Sequence, residues 1–129
     1  MSITDRMVQA NVCLATAQQV AACNGTSRTG TRYGVTLHDL AKRLGNPHEA
    51  APVEDRYDYK KDLVDGAGKV SAIWYVSTPR GLVEIRDYWW NKRDVMSLGS
   101  VDCRAVIWVH RWMDLHNLGR KSNEQDQDN

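Results

Sequence analysis

The feature that most constrains this chain is a change of hydropathy period at Lys69. Val70, Ala72, Trp74 and Val76 alternate with Ser71, Ile73, Tyr75 and Ser77. A β-strand requires that period of two, because successive side chains leave opposite faces. Thr78-Pro79-Arg80-Gly81 has turn composition, and Leu82 to Trp90 returns as a partner strand. The two runs predict an antiparallel hairpin with aromatic residues on both faces. After a turn over Asn91 to Asp94, VMSLGS at 95 to 100 is predicted as a third antiparallel strand.

Helical signals flank this sheet. Residues 2 to 24 predict one helix, opened by Ser2 and Asp5 in the spacing of a capping box and stopped by Asn24-Gly25. Ile3, Met7, Ala10, Leu14, Ala17 and Ala21 make a narrow stripe along it, widened by Val8, Val12 and Ala15. A shorter helix starts at Thr36 with Asp39, presents Leu37, Leu40, Ala41 and Leu44, and ends at Gly45-Asn46-Pro47. A last helix from about Asp102 to Leu118, capped by Ser100 and stopped by Gly119, has Ala105, Trp108, Trp112 and Leu115 as its stripe. Arg104, Ile107, Arg111 and Asp114 share another of its faces. Between these elements, TSRTGTR at 26 to 32 reads as a polar loop, either a solvated connector or a phosphate wrap. The stretch after Pro47 reads as an irregular connector pinned by Val53, Tyr57, Tyr59 and Leu63. The fold class is therefore α+β, a small antiparallel sheet of a hairpin plus a third strand between N-terminal and C-terminal helices. One domain is expected over 1 to 119, with a polar disordered tail over 120 to 129.

Composition narrows the partners. Lys and Arg number 17 against 16 acidic residues, a formal charge of +1, which lacks the basic footprint of a nucleic-acid polymer binder. Cys13, Cys23 and Cys103 show no metal or redox spacing, and the first two, on one helix, would lie roughly 15 Å apart. Three reduced thiols are expected. SITDRMVQ lacks the apolar segment of a signal peptide, and no apolar run approaches the ~20 residues of a membrane span. The expectation is a soluble cytoplasmic protein that makes no membrane contact.

The histidines at 38, 48, 110 and 116 fall into no metal pattern, although His110 and Asp114 share a helix face. GxSxG is absent and no nucleophile is specified. Neither an enzyme, a metal site nor a cofactor is expected. What remains is an aromatic and guanidinium set around GLVEIRDYWWNKRD: Arg80, Arg86, Tyr88, Trp89, Trp90, Asn91, Arg104 and Arg111, together with Trp74, Tyr75 and Arg93. Aromatic planes stack bases, Arg forks pair with phosphate, and Asn offers donor and acceptor to a base edge. The bland alternative is core, since Trp and Tyr must stand in for Phe, which is absent. Strand alternation sends Trp89 and Trp90 to opposite faces, so one of them must meet another element, a subunit or a ligand.

YGVTLHDLAKRLGNP, then GKVSAIWYVSTPRGLVEIRDYWWN, then a helix bearing Arg and Trp, resembles over residues 1 to 118 a family of small phage proteins that counter the Thoeris defence. WYVSTPRGLVEIRDYWWN is the most specific piece. The resemblance implies an oligomeric, dimeric or hexameric, sponge in the infected bacterial cell. It implies binding of cyclic ADP-ribose isomers without cleavage and, in some members, of cyclic oligonucleotides at separate sites. It further implies ligand contacts from Trp89 or Trp90, Asn91, Arg104 and Arg111. The alanine-rich stripe of the first helix is the expected subunit interface. The rival expectations are a protein–protein inhibitor such as an anti-CRISPR, which would use the same residues as a hot spot, and an enzyme that degrades the signal.

Overall fold

The computed structural model describes residues 2–23, 25–50, 70–88 and 95–122. The period-two segment forms the expected hairpin: β4 (Val70–Thr78) and β5 (Gly81–Tyr88) pair antiparallel, turning at Pro79-Arg80. Gly81 sits at φ +116°, a backbone conformation that favours glycine and lets the chain reverse within two residues. The third strand is β6 (Val95–Ser100), paired with β5.

The sheet is larger than a hairpin plus one strand. Among the described residues six strands belong to it, in the order β1-β4-β5-β6-β2, with β3 also on β4. β2 (Ser27–Tyr33) is the segment that reads as a polar loop; it pairs antiparallel with β6 along its whole length, with a bulge between Arg28 and Gly30. Its polarity hides it, because its buried face carries glycine and arginine in place of aliphatic residues. β1 (Cys13–Leu14) and β3 (Glu49–Ala50) are two-residue strands laid along different parts of the outer edge of β4.

The single N-terminal helix expected over 2 to 24 is instead a helix, a strand and a second helix. α1 (Ile3–Asn11) is capped by Ser2, whose hydroxyl accepts from the Asp5 N–H. It ends at Val12, which is extended at φ −112° and ψ 115°, and the chain then pairs with β4. Thr16 opens α2 (Ala17–Ala21) through a reciprocal capping box with Gln19. Within α1 only Val8 is buried, while Ile3 and Met7 of the expected stripe are exposed. Cys13 and Cys23 therefore lie on different elements, and all three thiols are free.

α3 (Leu37–Leu44) has the predicted Thr36/Asp39 capping box and ends at Gly45 with φ +82°. Its carbonyl end meets the sheet, where the Trp74 indole N–H donates to the Gly45 oxygen at 3.0 Å. α4 (Cys103–Leu115) is capped by Asp102 instead of Ser100, and the Ser100 hydroxyl donates to the Asp102 carbonyl. No helix among the described residues is long and apolar enough to cross a membrane.

The main core lies on one face of the sheet. Ala72, Trp74, Val76, Val83, Ile85, Met96 and Leu98 meet Val8 and Val12 from the N-terminal segment and Ala105, Val106, Val109, Trp112 and Met113 of α4. A smaller cluster of Ala15, Ile73 and Tyr75 occupies the other face. β4 is apolar on both faces because both faces are covered.

One cation lies within the main core. Arg32 of β2 is fully buried, and all three guanidinium nitrogens donate. Nε bonds the Leu118 oxygen at 2.7 Å, Nη1 bonds His110 Nδ1 at 3.2 Å, and Nη2 bonds Asp114 Oδ1 at 2.7 Å and the Gly119 oxygen at 2.9 Å. Arg120, in the expected tail, exchanges both backbone hydrogen bonds with Tyr33 next to it. Burying a charge is costly unless it is paired and its donors are satisfied, and here they are. Arg32→Ala is expected to cost about 3–5 kcal/mol in urea denaturation, since carbonyls of the α4 exit lose their donor. Arg32→Lys should recover less than half of that loss, because a point charge cannot replace the fork.

Candidate functional site

The expected ligand residues separate when placed on this fold. Trp89, Trp90 and Asn91, with Arg93 and the expected pins Val53, Tyr57, Tyr59 and Leu63, lie outside the described residues. Tyr88 is the last residue of β5. Arg86 is on the sheet face away from α4, half-buried and ion-paired with the buried Glu84. Trp74 and Tyr75 are buried in the two clusters, so both belong to the core.

Arg80 and Arg104 both lie at the end of the sheet opposite Tyr88. Arg80 is exposed in the β4–β5 turn. Arg104, in the first turn of α4, is also exposed and pairs with Asp102 at 3.1 Å. The Asp102 carboxyl is held below its ordinary range by the Arg104 side-chain hydrogen bond, then by the Arg104 backbone N–H, with the Arg80 charge a smaller contribution. This pairing leaves Arg104 partly neutralised.

Arg111 has a different setting. The face predicted at Arg104, Ile107, Arg111 and Asp114 is exposed along α4, and Ile107 is 57% exposed. A cavity of about 390 Å³ opens over its second half, lined by Ile107, His110, Arg111, Asp114 and Leu115 with Asp5 and Lys121. Asp114 Oδ1 is engaged by Arg32. Arg111 has no side-chain partner among the described residues. The site thus offers a free guanidinium, the Lys121 ammonium and an apolar shelf, in a volume within the usual range for small-molecule pockets.

His110 connects this cavity to the core. Its Nδ1 accepts from Arg32, which can only donate, so the proton of the neutral ring is on Nε2. Burial, then the Arg32 and Lys121 charges, push its pKa down to about 4, against the pull of Asp114. The sequence spacing pointed to His110 and Asp114 as a pair. The residue that joins them, Arg32, comes from a strand 78 positions from His110 and gave no local signal.

The other histidine with two ring contacts, His48, is also spoken for. Tyr75 N–H donates to its Nδ1 at 3.0 Å, and its Nε2–H donates to the Ala15 carbonyl at 2.9 Å. Among the described residues, no group of three His, Cys, Asp or Glu gathers in a metal-ligating arrangement.

No family model, curated protein or solved structure matches this chain.

The His110 environment predicts an acid-sensitive fold. A histidine with a lowered folded pKa binds fewer protons folded than unfolded between its two pKa values, so stability rises with pH there. The contribution is complete above about pH 6.5 and is lost as pH falls toward 4, up to about 3 kcal/mol at 1.36 kcal/mol per unit. His116, lowered by burial and then by Arg43, acts in the same sense. Urea melts between pH 7 and 4 should show this slope, and His110→Gln should flatten it.

Proposed function

We propose that this chain binds and sequesters a cyclic nucleotide-derived signal, of the cyclic ADP-ribose isomer class, without cleaving it. The observation that carries the reading is Arg111, a guanidinium without a partner among the described residues, in a cavity with Ile107, Leu115 and Lys121. An anionic phosphate suits the two cations, and the apolar shelf suits a base or ribose face. The second support is the sequence resemblance over the hairpin and last helix, which assigns the stacking and base-edge contacts to Trp89 or Trp90 and Asn91.

α4 runs back across the sheet from Ser100, and Asp114 near its end bonds Arg32, the register partner of Met96. Its second half therefore lies toward the end where β5 finishes at Tyr88 and β6 begins at Val95. The aromatic run follows directly from Tyr88. Arg111 is accordingly the principal phosphate ligand in this reading, whereas Arg80, Arg86 and Arg104 are held by other geometry.

Exposed apolar residues favour a second reading. Ile3 is 76% exposed and Met7 51% on α1, which packs on α4 beside Ile107. In the sponge reading this stripe joins subunits of a homo-oligomer; in the rival it docks a protein target of an inhibitor. Light scattering after size exclusion tests the first option, and a monomer counts against it.

Calorimetry against a panel of cyclic ADP-ribose isomers is the direct test of function. Binding is expected, and Arg111→Ala should weaken it more than about fivefold, over ~1 kcal/mol, the scale of a lost charged hydrogen bond. Heat denaturation of the complex should release intact ligand. Unchanged affinity in a folded Arg111→Ala variant would displace the site, and a new product on release would make the chain an enzyme.

A further inference from the structure

The cavity over α4 is lined by charges of both signs. Its walls come from three segments: Asp5 of α1, the second half of α4, and Lys121 beyond it. Asp114 is answered by Arg32, and the neutral His110 ring adds no charge. The lining therefore retains two cations, Arg111 and Lys121, and one carboxylate, Asp5. None of these three side chains makes a hydrogen bond or ion pair among the described residues. Opposite charges that line one cavity without pairing keep their hydrogen-bonding capacity for whatever fills the space between them.

The Asp5 carboxylate is not spent on its own helix. Asp5 and Asp39 occupy the same position, three residues after a capping hydroxyl. In α3 the box closes both ways: the Thr36 N–H donates to Asp39 Oδ2 at 3.1 Å, while the Asp39 N–H donates to the Thr36 hydroxyl. In α1 only the second of these bonds forms, the Asp5 N–H donating to the Ser2 hydroxyl at 3.0 Å. The carboxylate makes no return bond, and Asp5, half-buried, lines the cavity instead. A partly desolvated carboxylate without a partner favours an N–H or O–H donor.

We infer that Asp5 is the specificity residue of the proposed signal site and accepts from the exocyclic amine of the ligand's base, which rests on the sequestration reading above. Charge sets the ligand's orientation. A phosphate is drawn to Arg111 and Lys121 and repelled by Asp5, so the base takes the Asp5 side. Ile107, Arg111 and Leu115 follow one another at four-residue spacing on one face of α4. A base plane laid on the two aliphatic side chains turns its polar edge to a cavity wall. An amino group there donates to the carboxylate, as base amines do to acidic side chains in nucleic-acid readout. A carbonyl oxygen in that place sets acceptor against acceptor. Adenine satisfies the site, and hypoxanthine, with oxygen at C6, does not.

Calorimetry on the full chain tests this role, using each cyclic ADP-ribose isomer and the same isomer with its adenine deaminated to hypoxanthine. The parent should bind the adenine form at least about tenfold more tightly. Asp5→Asn and Asp5→Ala should each bring the two affinities within about threefold, chiefly by weakening the adenine form. Arg111→Ala should weaken both forms and leave their ratio unchanged, because it acts on the phosphate. The Asp5 carboxylate bonds nothing among the described residues, so urea denaturation without ligand should find both Asp5 variants folded. Equal affinity of the parent for the two forms, or a preference that survives both Asp5 substitutions, overturns the assignment of Asp5 and leaves sequestration intact. So does an equal loss for both forms, which would put a ribose hydroxyl on Asp5. If no isomer binds in either form, the sequestration reading fails and Asp5 loses its role with it.

Discussion

The Arg32 guanidinium is the interaction on which the arrangement of the other elements depends. It lies within the core on an edge strand whose own sequence offers almost no apolar surface. Its five donors fix three things at once: the register of β2 on β6, the angle at which α4 leaves the sheet, and the path of the chain through Leu118 and Gly119. Gly119 has φ +71°, and a Cβ there would strike the Tyr33 carbonyl and the Val35 side chain. The glycine lets the chain approach closely enough for two carbonyls to meet one arginine. Hydrophobic burial between β4, β5, β6 and α4 supplies the driving force, but it is non-directional. The arginine gives the direction.

This division explains which parts of the fold were legible in the sequence. The hairpin, β6, α3 and α4 each satisfy a local rule, whether period two, a capping box or a helical stripe, and each was found. β2 satisfies none, since its core-facing residues are the half-buried Gly30 and the buried Arg32 and its pairing exists only once β6 is present. The break after α1 was missed for a related reason. Residues 2 to 24 carry a plausible helical stripe throughout, but Cys13–Leu14 gains more from the vacant edge of β4. The second capping box, Thr16 with Gln19, was the local clue to that break. It was present in the sequence and was overridden by the stripe.

The candidate sites follow the same logic. The exposed face of Arg104, Ile107, Arg111 and Asp114 was readable because helix spacing is local. What spacing cannot say is that Arg104 is answered by Asp102 while Arg111 is left free. TSRTGTR did suggest an anion site, with the residues imagined as a loop wrapping the ligand. As a strand it sends Arg28 to the sheet face away from α4 and Arg32 into the core, so its two arginines play unrelated parts.

His48 has a consequence beyond holding two short strands. β4 is the longest strand of the sheet, and its outer edge carries a row of amide groups able to template another chain. β3 and β1 cover separate parts of that row, and the imidazole fills the interval by accepting from Tyr75 and donating to Ala15. On the opposite side of the sheet, β2 is interrupted by its bulge and bears charged and hydroxyl groups. A folded copy therefore presents a poor seed for runaway strand-to-strand polymerisation.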